Sequence, residues 1–390
     1  MGEAYIVAAA RTAGGKRNGR VSGWHPADLA GVILDDLVAR AGCDPALVDD
    51  VIMGCVIQAG EQSHNIARGA VMASKLPQHI PGVTVDRQCG SSQQALHFAA
   101  STVISGVMDC VIAAGVESMT RTPMGLSSEL PAKNGFGRAK SPRQEARYPD
   151  IVFSQFTGAE MLAEKHGFSK DEMDEFGFLS QQKAAAATRA GRFEKEICAI
   201  DVTAPDGTRE PHTVDEGIRF DATLEAVKGV RLIREGGRIT AATASQICDG
   251  ASGVMVVNER GLKELGVKPL ARIHAMSLSA GDPVIMLEEP LFATDKALKR
   301  AGMRIDDIDL YEVNEAFAPV PMAWAKHTGA DPARLNVHGG AIALGHPLGA
   351  SGTKLMTTLV YALKTHGKRY GLQTMCEGGG MANVTIVERL

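Results

Sequence analysis

Apolar and polar positions alternate along both ends of the chain as they do in α/β proteins, with short apolar runs between segments of helical periodicity. In the first third, this pattern predicts strands over residues 5–8, 51–56, 84–87 and 110–114, and helices over residues 26–41, 65–74 and 91–104. In the last part, it predicts helices over residues 294–301, 317–329 and 352–365, and strands over residues 309–313 and 370–376. The continuous apolar run at 110–114 is typical of a parallel strand covered on both faces.

The two ends of the chain repeat the same order of signals. A helix that ends at Gly42 leads through an acidic spacer to the strand at 51–56, and a helix that ends at Gly302 leads through a similar spacer to the strand at 309–313. The segments Cys89-Gly-Ser-Ser and Gly349-Ala-Ser-Gly each open a helix that is followed by a turn and a strand. We therefore expect an α/β protein built from two similar halves.

The middle of the chain has a different character from about residue 118 to residue 249. It carries charge, Pro and Gly punctuation, and two polar helices predicted at 158–166 and 170–190. Residues 129–149 show no clear periodicity and are predicted to form an excursion loop. Long insertions of this kind are usually lids or binding segments.

Composition narrows the classes of function. The 41 Lys and Arg residues against 45 Asp and Glu residues give a net charge of −4, which disfavours nucleic-acid binding. No apolar stretch reaches the roughly 18–20 residues of a membrane helix. The seven cysteines are scattered without a C-x-x-C pair, which argues against a disulfide framework and a structural zinc site and favours the cytoplasm. Glycine is abundant at 43 of 390 residues.

Part of this glycine surrounds residues that can carry chemistry. Cys89 stands where a strand gives way to a helix, and free N–H groups at a helix start favour a thiolate, although a lone cysteine there is more often structural. His346 lies in a segment with five glycines between residues 336 and 352, which suits a preorganised base but equally a packed turn. Cys376 precedes a run of three glycines, and Asn314 follows an apolar strand. Duplication of the two halves would bring these four segments to one face of the molecule.

Four separated motifs together resemble those of the thiolases, the acetyl-CoA C-acyltransferases. They are Cys89-Gly-Ser, Asn314-Glu-Ala-Phe, Gly345-His346-Pro and Cys376-x-Gly-Gly-Gly, in this order along the chain. The resemblance covers essentially the whole chain and implies duplicated α/β halves in five layers (α-β-α-β-α) with an inserted loop domain. The implied domains are an N-terminal half at 1–118, completed by about 250–268, a lid over CoA at 119–249, and a C-terminal half at 269–390.

The same resemblance implies a role for each candidate residue. Cys89 is expected to be the nucleophile that carries the acyl group as a thioester, and His346 the base that takes its proton. Cys376 is expected to be the acid or base that moves the substrate α-proton or protonates the leaving CoA thiolate. Asn314 is expected to fix a water that forms one oxyanion hole with His346, and the backbone N–H groups of Cys89 and Gly378 a second one.

The implied reaction is CoA-dependent cleavage of a 3-oxoacyl-CoA, or the reverse Claisen condensation, through an acyl-enzyme. CoA and acyl-CoA are then substrates, and no metal or permanently bound cofactor is expected. Ser245, in the segment Thr240-Ala-Ala-Thr-Ala-Ser245, resembles a family residue that contacts the pantetheine of CoA. The family habit also implies a homodimer or homotetramer.

The sequence departs from the usual thiolase pattern at four places. Ser92 and Met381 replace Gly and Gln, Glu377 replaces a small or apolar residue, and Gln155-Phe156 stands where a Met-Gly pair is usual. We expect these changes to reshape the acyl pocket in favour of a bulkier or branched acyl-CoA. Residues 15–19, 54–58 and 60–63 also resemble the bacterial thiolases of steroid breakdown.

The sequence also bears on four other interpretations of the function. An acetyltransferase that forms acetoacetyl-CoA would use the same catalytic residues. A ketosynthase-like condensing enzyme would be expected to show two active-site histidines and no Cys376 motif. A non-catalytic carrier on the same fold would be expected to lack Cys89 or His346. An α/β-hydrolase is disfavoured because the chain has no G-x-S-x-G.

Overall fold

A computed structural model describes residues 2–204 and 206–390 of the chain. Its strands are β1 (Tyr5–Arg11), β2 (Gly15–Lys16), β3 (Asp50–Gly54), β4 (Gly82–Val85), β5 (Cys110–Ser118), β6 (Ile200–Thr203), β7 (Arg209–His212), β8 (Cys248–Val257), β9 (Ala271–Ala280), β10 (Leu310–Val313), β11 (Tyr370–Glu377) and β12 (Met381–Arg389). Its α-helices are α1 (Pro26–Ala41), α2 (Ile66–Ala73), α3 (Ser91–Ser105), α4 (Leu126–Lys133), α5 (Pro142–Arg147), α6 (Gln155–His166), α7 (Lys170–Arg189), α8 (Leu224–Lys228), α9 (Glu259–Leu265), α10 (Glu289–Ala301), α11 (Pro319–Thr328), α12 (Ala341–Leu344) and α13 (Ser351–Thr365). None of these helices is long and apolar enough to cross a membrane.

The sheet topology confirms the predicted duplication. The N-terminal half has the strand order β4-β3-β5-β8-β1, and the C-terminal half has the order β10-β11-β12-β9. In both halves two parallel strands are followed by antiparallel ones, since β3–β5 and β10–β11 are parallel whereas β5–β8 and β11–β12 are antiparallel. A parallel bridge between Tyr311 and Leu335 extends the second half at the position of β4. The halves meet where β1 pairs with β9.

A pair of aspartates shows that the repeat extends to single hydrogen bonds. The Asp49 carboxylate accepts the backbone N–H groups of residues 109 and 110, at 2.8 and 3.0 Å. The Asp309 carboxylate accepts those of residues 369 and 370, both at 2.9 Å. Each aspartate lies just before one parallel strand of its half and fixes the turn that leads into the other parallel strand. The acidic spacers in the sequence therefore have the same structural task in both halves.

Both faces of the sheet are buried in each half, which gives the predicted five layers. Along β5, Cys110, Ile112 and Ala114 pack into the cluster that includes α1 and α2, whereas Val111 and Ala113 pack into the cluster around α3 and α13. This alternation follows from the period of two in a strand. The outer face of the second half packs against α10 and α11. The central layer is the contact between α3 and α13.

A long insertion connects β5 to β8 and contains α4 to α8 and the β6–β7 hairpin. The equivalent connection in the second half is only the turn at Gly378–Gly380 between β11 and β12. A buried ion cluster ties the insertion to β1, because the Arg11 guanidinium donates to Glu196 at 2.6 Å and to Asp215 at 2.9 Å. The role of this insertion as a lid over CoA remains a prediction.

The structure differs from the sequence predictions at several elements. The predicted structureless loop at 129–149 contains the end of α4 and all of α5, which begins with a capping box between Ser141 and Gln144. Strands β8, β9 and β12 were not predicted, because glycine and polar residues interrupt their apolar pattern. The helix predicted from Phe317 begins at Pro319, whose fixed φ suits a first turn.

Candidate active site

Cys89 lies in the short connection between β4 and the start of α3. Gln88 has a φ of +49°, which turns the chain sharply, and Gly90 is the N-cap of the helix. The Cys89 side chain is partly buried and packs against the apolar cluster formed by Ile57, Met119 and Leu348. The predicted strand-to-helix junction is therefore present.

Burial dominates the electrostatic setting of Cys89 and outweighs the helix start, which by itself favours a thiolate. Burial raises the pKa of the Cys89 thiol to about 12, with a further increase from the charge of Glu377. The residue's own backbone N–H acts in the opposite direction and is outweighed. Desolvation penalises a thiolate more than the helix start supports it. Cys89 therefore rests as a neutral thiol and needs a base.

His346 is held in one tautomer by its neighbours. Its Nδ1 lies 2.5 Å from Ser351 Oγ, and that hydroxyl donates to the carbonyl of Pro347 at 2.9 Å. Because a serine hydroxyl has a single hydrogen, Nδ1 must donate to Ser351. The lone pair of His346 then resides on Nε2, 3.4 Å from the side-chain nitrogen of Asn314. This nitrogen is available to accept a proton.

The charge state of His346 agrees with a base. Burial, with help from the Lys354 ammonium, lowers the pKa of His346 to about 3, so the imidazole is neutral near pH 7. A neutral thiol and a neutral imidazole exchange a proton at a cost in free energy. The ions attract each other once formed, and attack on a thioester consumes the thiolate. We expect proton transfer and attack to occur together.

Cys376 lies near the end of β11 and is fully buried. Burial raises the pKa of its thiol well above the usual value, and a charge on Cys89 would raise it further. The Gly378–Gly380 turn follows, and a Cβ placed on Gly378 would lie 3.0 Å from Gln88 Oε1. The second cysteine motif therefore adjoins the first.

An apolar cavity of about 820 Å³ leads to His346. Ser245 lines it and donates its backbone N–H to Ala316 at 2.9 Å. Cys89, Cys376, Asn314 and Gly378 do not belong to the lining of this cavity in the described chain. The apolar cluster on which Cys89 packs connects the two regions, because its members Met119 and Leu348 also line the cavity. The exposed cations Lys16, Arg17 and Arg219 stand around the same cavity.

Two family models match the chain. The model described as the N-terminal domain of thiolase matches residues 4–260, and the model described as its C-terminal domain matches residues 267–389. The chain belongs to the thiolase family. It is therefore an acyltransferase, as the four motifs predicted.

Individual relatives agree with this assignment over their full length. The chain is 51% identical to a steroid 3-ketoacyl-CoA thiolase of Mycobacterium tuberculosis, over 100% of this chain and 95% of the relative. It is 40% identical to a 3-ketoacyl-CoA thiolase of Pseudoalteromonas translucida, over 100% of both chains. The crystal structure of an acetyl-CoA acetyltransferase of Bacillus anthracis superposes with a TM-score of 0.91 at 32% identity, covering 100% of this chain and 99% of that one.

The four departures from the thiolase pattern are not equivalent in space. Gln155 and Phe156 line the cavity, as expected of residues that shape an acyl pocket. Ser92 does not, because it is buried between α3 and α13, where its hydroxyl accepts the backbone N–H of Thr353 at 3.0 Å. Glu377 and Met381 flank the glycine turn and are absent from the described lining. Only Gln155 and Phe156 thus belong to the described cavity lining, and the expectation that the other three departures reshape the acyl pocket stays a prediction.

Sequence reasoning missed residues that hold the His346 segment in place. Ser351 fixes the imidazole, and the buried Lys354 ammonium donates to the carbonyls of Leu344 and Gly345, the latter at 3.1 Å. Both residues belong to α13, one and two turns from the histidine motif. Their small and charged side chains gave no signal by themselves, although a lysine within an apolar helix could have suggested a buried partner.

Proposed function

We propose that the chain is a thiolase that cleaves a 3-oxoacyl-CoA with CoA, or runs the reverse condensation, through an acyl-Cys89 intermediate. The observation that carries this proposal is the unprotonated Nε2 of a buried, neutral His346 that Ser351 fixes in one tautomer. His346 belongs to the segment whose Leu348 is part of the apolar cluster on which the neutral Cys89 thiol packs. The two cysteine motifs and the histidine motif come from distant parts of the chain and adjoin one another.

The proposed thiolysis consists of two balanced half-reactions. The Cys89 proton moves to His346 Nε2 as sulfur attacks the 3-oxo carbon; the Cα–Cβ bond of the substrate breaks, and the released acetyl-CoA carbanion takes the proton of Cys376. In the second half, the thiol of CoA gives its proton to the Cys376 thiolate and attacks the acyl-enzyme. The Cys89 thiolate then leaves and recovers its proton from His346, so both cysteines end as thiols.

Developing negative charge on the thioester oxygens needs donors. Asn314 is buried, and its side-chain oxygen has no hydrogen-bond partner among the described residues, which suits it to hold a water next to His346. We assign this water and His346 to one oxyanion hole, and the backbone N–H groups of Cys89 and Gly378 to the other. The proximity of Gly378 to Gln88 supports the second assignment.

CoA is proposed to occupy the cavity with its phosphates at the cations and its pantetheine near Ser245. Replacing Arg219 with glutamate is expected to raise the KM for CoA about tenfold with a small change in kcat, since a rim charge attracts an anion without touching the reacting atoms. Steady-state kinetics at low and high ionic strength measure this effect. Lys263→Glu, an exposed change on α9, is the control, and an equal effect in both variants would contradict the assignment.

The preferred substrate is proposed to carry a bulky acyl group, such as a steroid-derived one. The apolar cavity is large, and one relative is named as a steroid thiolase. We expect kcat/KM for a long or steroid-derived 3-oxoacyl-CoA to exceed that for acetoacetyl-CoA by about tenfold or more, because each buried methylene adds binding energy. Parallel thiolysis assays measure the ratio, and a preference for acetoacetyl-CoA would refute this specificity.

A biosynthetic acetyltransferase is the second candidate. A relative from Allochromatium vinosum, 38% identical over 99% of this chain, is named acetyl-CoA acetyltransferase, and the proposed site supports condensation equally. The ratio of condensation to thiolysis rates distinguishes the two. We further propose that the protein is cytoplasmic, which its seven unpaired cysteines support. We also propose that it forms a homodimer or homotetramer, as the family resemblance implies.

A further inference from the structure

Glu377 occupies an unusual place beside the proposed nucleophile. It is the last residue of β11 and pairs with Met381, while Met375 pairs with Asn383. Residues opposite each other in an antiparallel pair share a face, and neighbours along a strand point to opposite faces. Glu377 and Asn383 therefore lie on one face of the sheet, the face toward α3, and Cys376 lies on the other.

The Glu377 carboxyl group fills the space next to the residue that follows Cys89. A Cβ built on Gly90 would lie 2.0 Å from Glu377 Oε1 and 3.0 Å from Asn383 Nδ2. The Asn383 amide also donates to the Gly90 carbonyl at 3.2 Å. The backbone that presents Cys89 thus rests against two side chains from β11 and β12, and a side chain at position 90 would collide with both.

This carboxyl group is buried without compensation. Glu377 is 0% exposed, and neither of its oxygens has a hydrogen-bond partner in the described chain. Burial raises the pKa of Glu377 to about 8, against the opposing charge of Arg87. The titratable and charged side chains around this group and Cys89 are Arg87 and Asp86 before α3, Glu117 of β5, Cys376 and Cys89 itself. An uncharged acid is therefore the resting form near pH 7.

We propose that Glu377 is a positioning residue for Cys89, whose uncharged form supports the Cys89–Gly90 backbone and permits the thiolate, and whose carboxylate form opposes it. This inference rests on the proposed function of Cys89. The sign follows from charge: an ionised Glu377 disfavours a second anion nearby and raises the pKa of Cys89. Acylation should accordingly slow as the pH rises above the value at which Glu377 loses its proton.

The test compares wild-type protein with Glu377→Gln, which keeps the shape of the neutral acid and cannot ionise. The measured quantity is the single-turnover rate of Cys89 acetylation by acetyl-CoA between pH 6 and pH 10. We expect the ratio of variant rate to wild-type rate to rise about threefold or more between pH 7 and pH 9.5, because only the wild type gains the opposing charge. If Glu377 acted only through packing, the variant rate would differ from the wild-type rate by the same factor at every pH.

Two further variants complete the experiment. Glu377→Met fills the same volume without a charge and should reproduce the pH dependence of the Gln variant, even where its stability is lower. Glu264→Gln, which removes an exposed carboxylate on α9, should keep the wild-type profile. If wild type and both Glu377 variants gave parallel pH profiles, the inference about Glu377 would be refuted and the proposed function would stand. A wild-type protein that is not acetylated by acetyl-CoA would overturn the proposed function, and this inference with it.

Discussion

Replacing Cys89 with alanine is expected to lower the kcat of thiolysis by about 10⁴-fold or more, since the reaction loses its covalent step. The neutral thiol becomes a nucleophile only with a base, and His346 offers a fixed, unprotonated Nε2. Alanine keeps the backbone at Gly90 and removes sulfur alone, so the fold should persist. Steady-state thiolysis measures the loss, and intact-protein mass after incubation with acetyl-CoA shows whether an acetyl group is added.

Cys43 provides the matched control for this experiment. It is a partly exposed cysteine in the turn after α1, remote from the histidine and glycine motifs. Cys43→Ala should retain both turnover and the added mass, whereas Cys89→Ala should lose both. An acetyl group that disappears with Cys43, or residual turnover near the wild-type level without Cys89, would refute the acyl-Cys89 intermediate.

The fold was predictable from the sequence where hydrophobic patterning was clean. Helix 26–41 and strand β5 showed unambiguous periodicity, and the matched spacers after Gly42 and Gly302 revealed the duplication. The antiparallel strands β8, β9 and β12 were hidden, because their buried faces carry residues such as Asp249, Ser252 and Asn383 that find partners only in the folded protein. Tertiary hydrogen bonds of this kind leave no local signature.

The duplication also explains why distant motifs meet. Cys89 precedes α3 by two residues, and His346 lies five residues before the start of the equivalent helix α13. These two helices pack against each other in the central layer, so the chain segments that enter them are brought together. A parallel sheet with its helix starts at one edge gathers functional groups there. The site is thus formed at the junction of two copies of one structural unit.

Contacts that set the chemistry at this junction were less predictable. The sequence indicated Cys89, His346 and Cys376 through their glycine neighbours, but it could not show that burial, which favours the thiol at Cys89, outweighs the helix start. The direction of that effect depends on burial by side chains that are distant in the sequence, such as those of Ile57, Met119 and Leu348. Glu377 could be singled out only as a departure from a pattern, since its proximity to Gly90 depends on the pairing of β11 with β12.

Replacing Cys376 with alanine is expected to separate the two half-reactions. Acetylation of Cys89 by acetyl-CoA should proceed, because the CoA thiolate that leaves is a far weaker base than a carbanion and needs no acid to depart. Thiolysis of a 3-oxoacyl-CoA should fall about 10³-fold, because the carbanion released there is far more basic and requires the Cys376 proton.

Rapid-quench mass measurement of acetyl-enzyme, together with steady-state thiolysis, distinguishes these effects. Cys110→Ala, at a buried cysteine on the outer face of β5, is the control for loss of a buried thiol and should affect both assays equally through stability alone. If Cys376→Ala abolished acetylation as completely as thiolysis, Cys376 would act in nucleophile activation instead. If Cys376→Ala retained both acetylation and thiolysis, His346 would be the group that protonates the carbanion. Its depressed pKa makes the imidazolium a stronger acid than the Cys376 thiol.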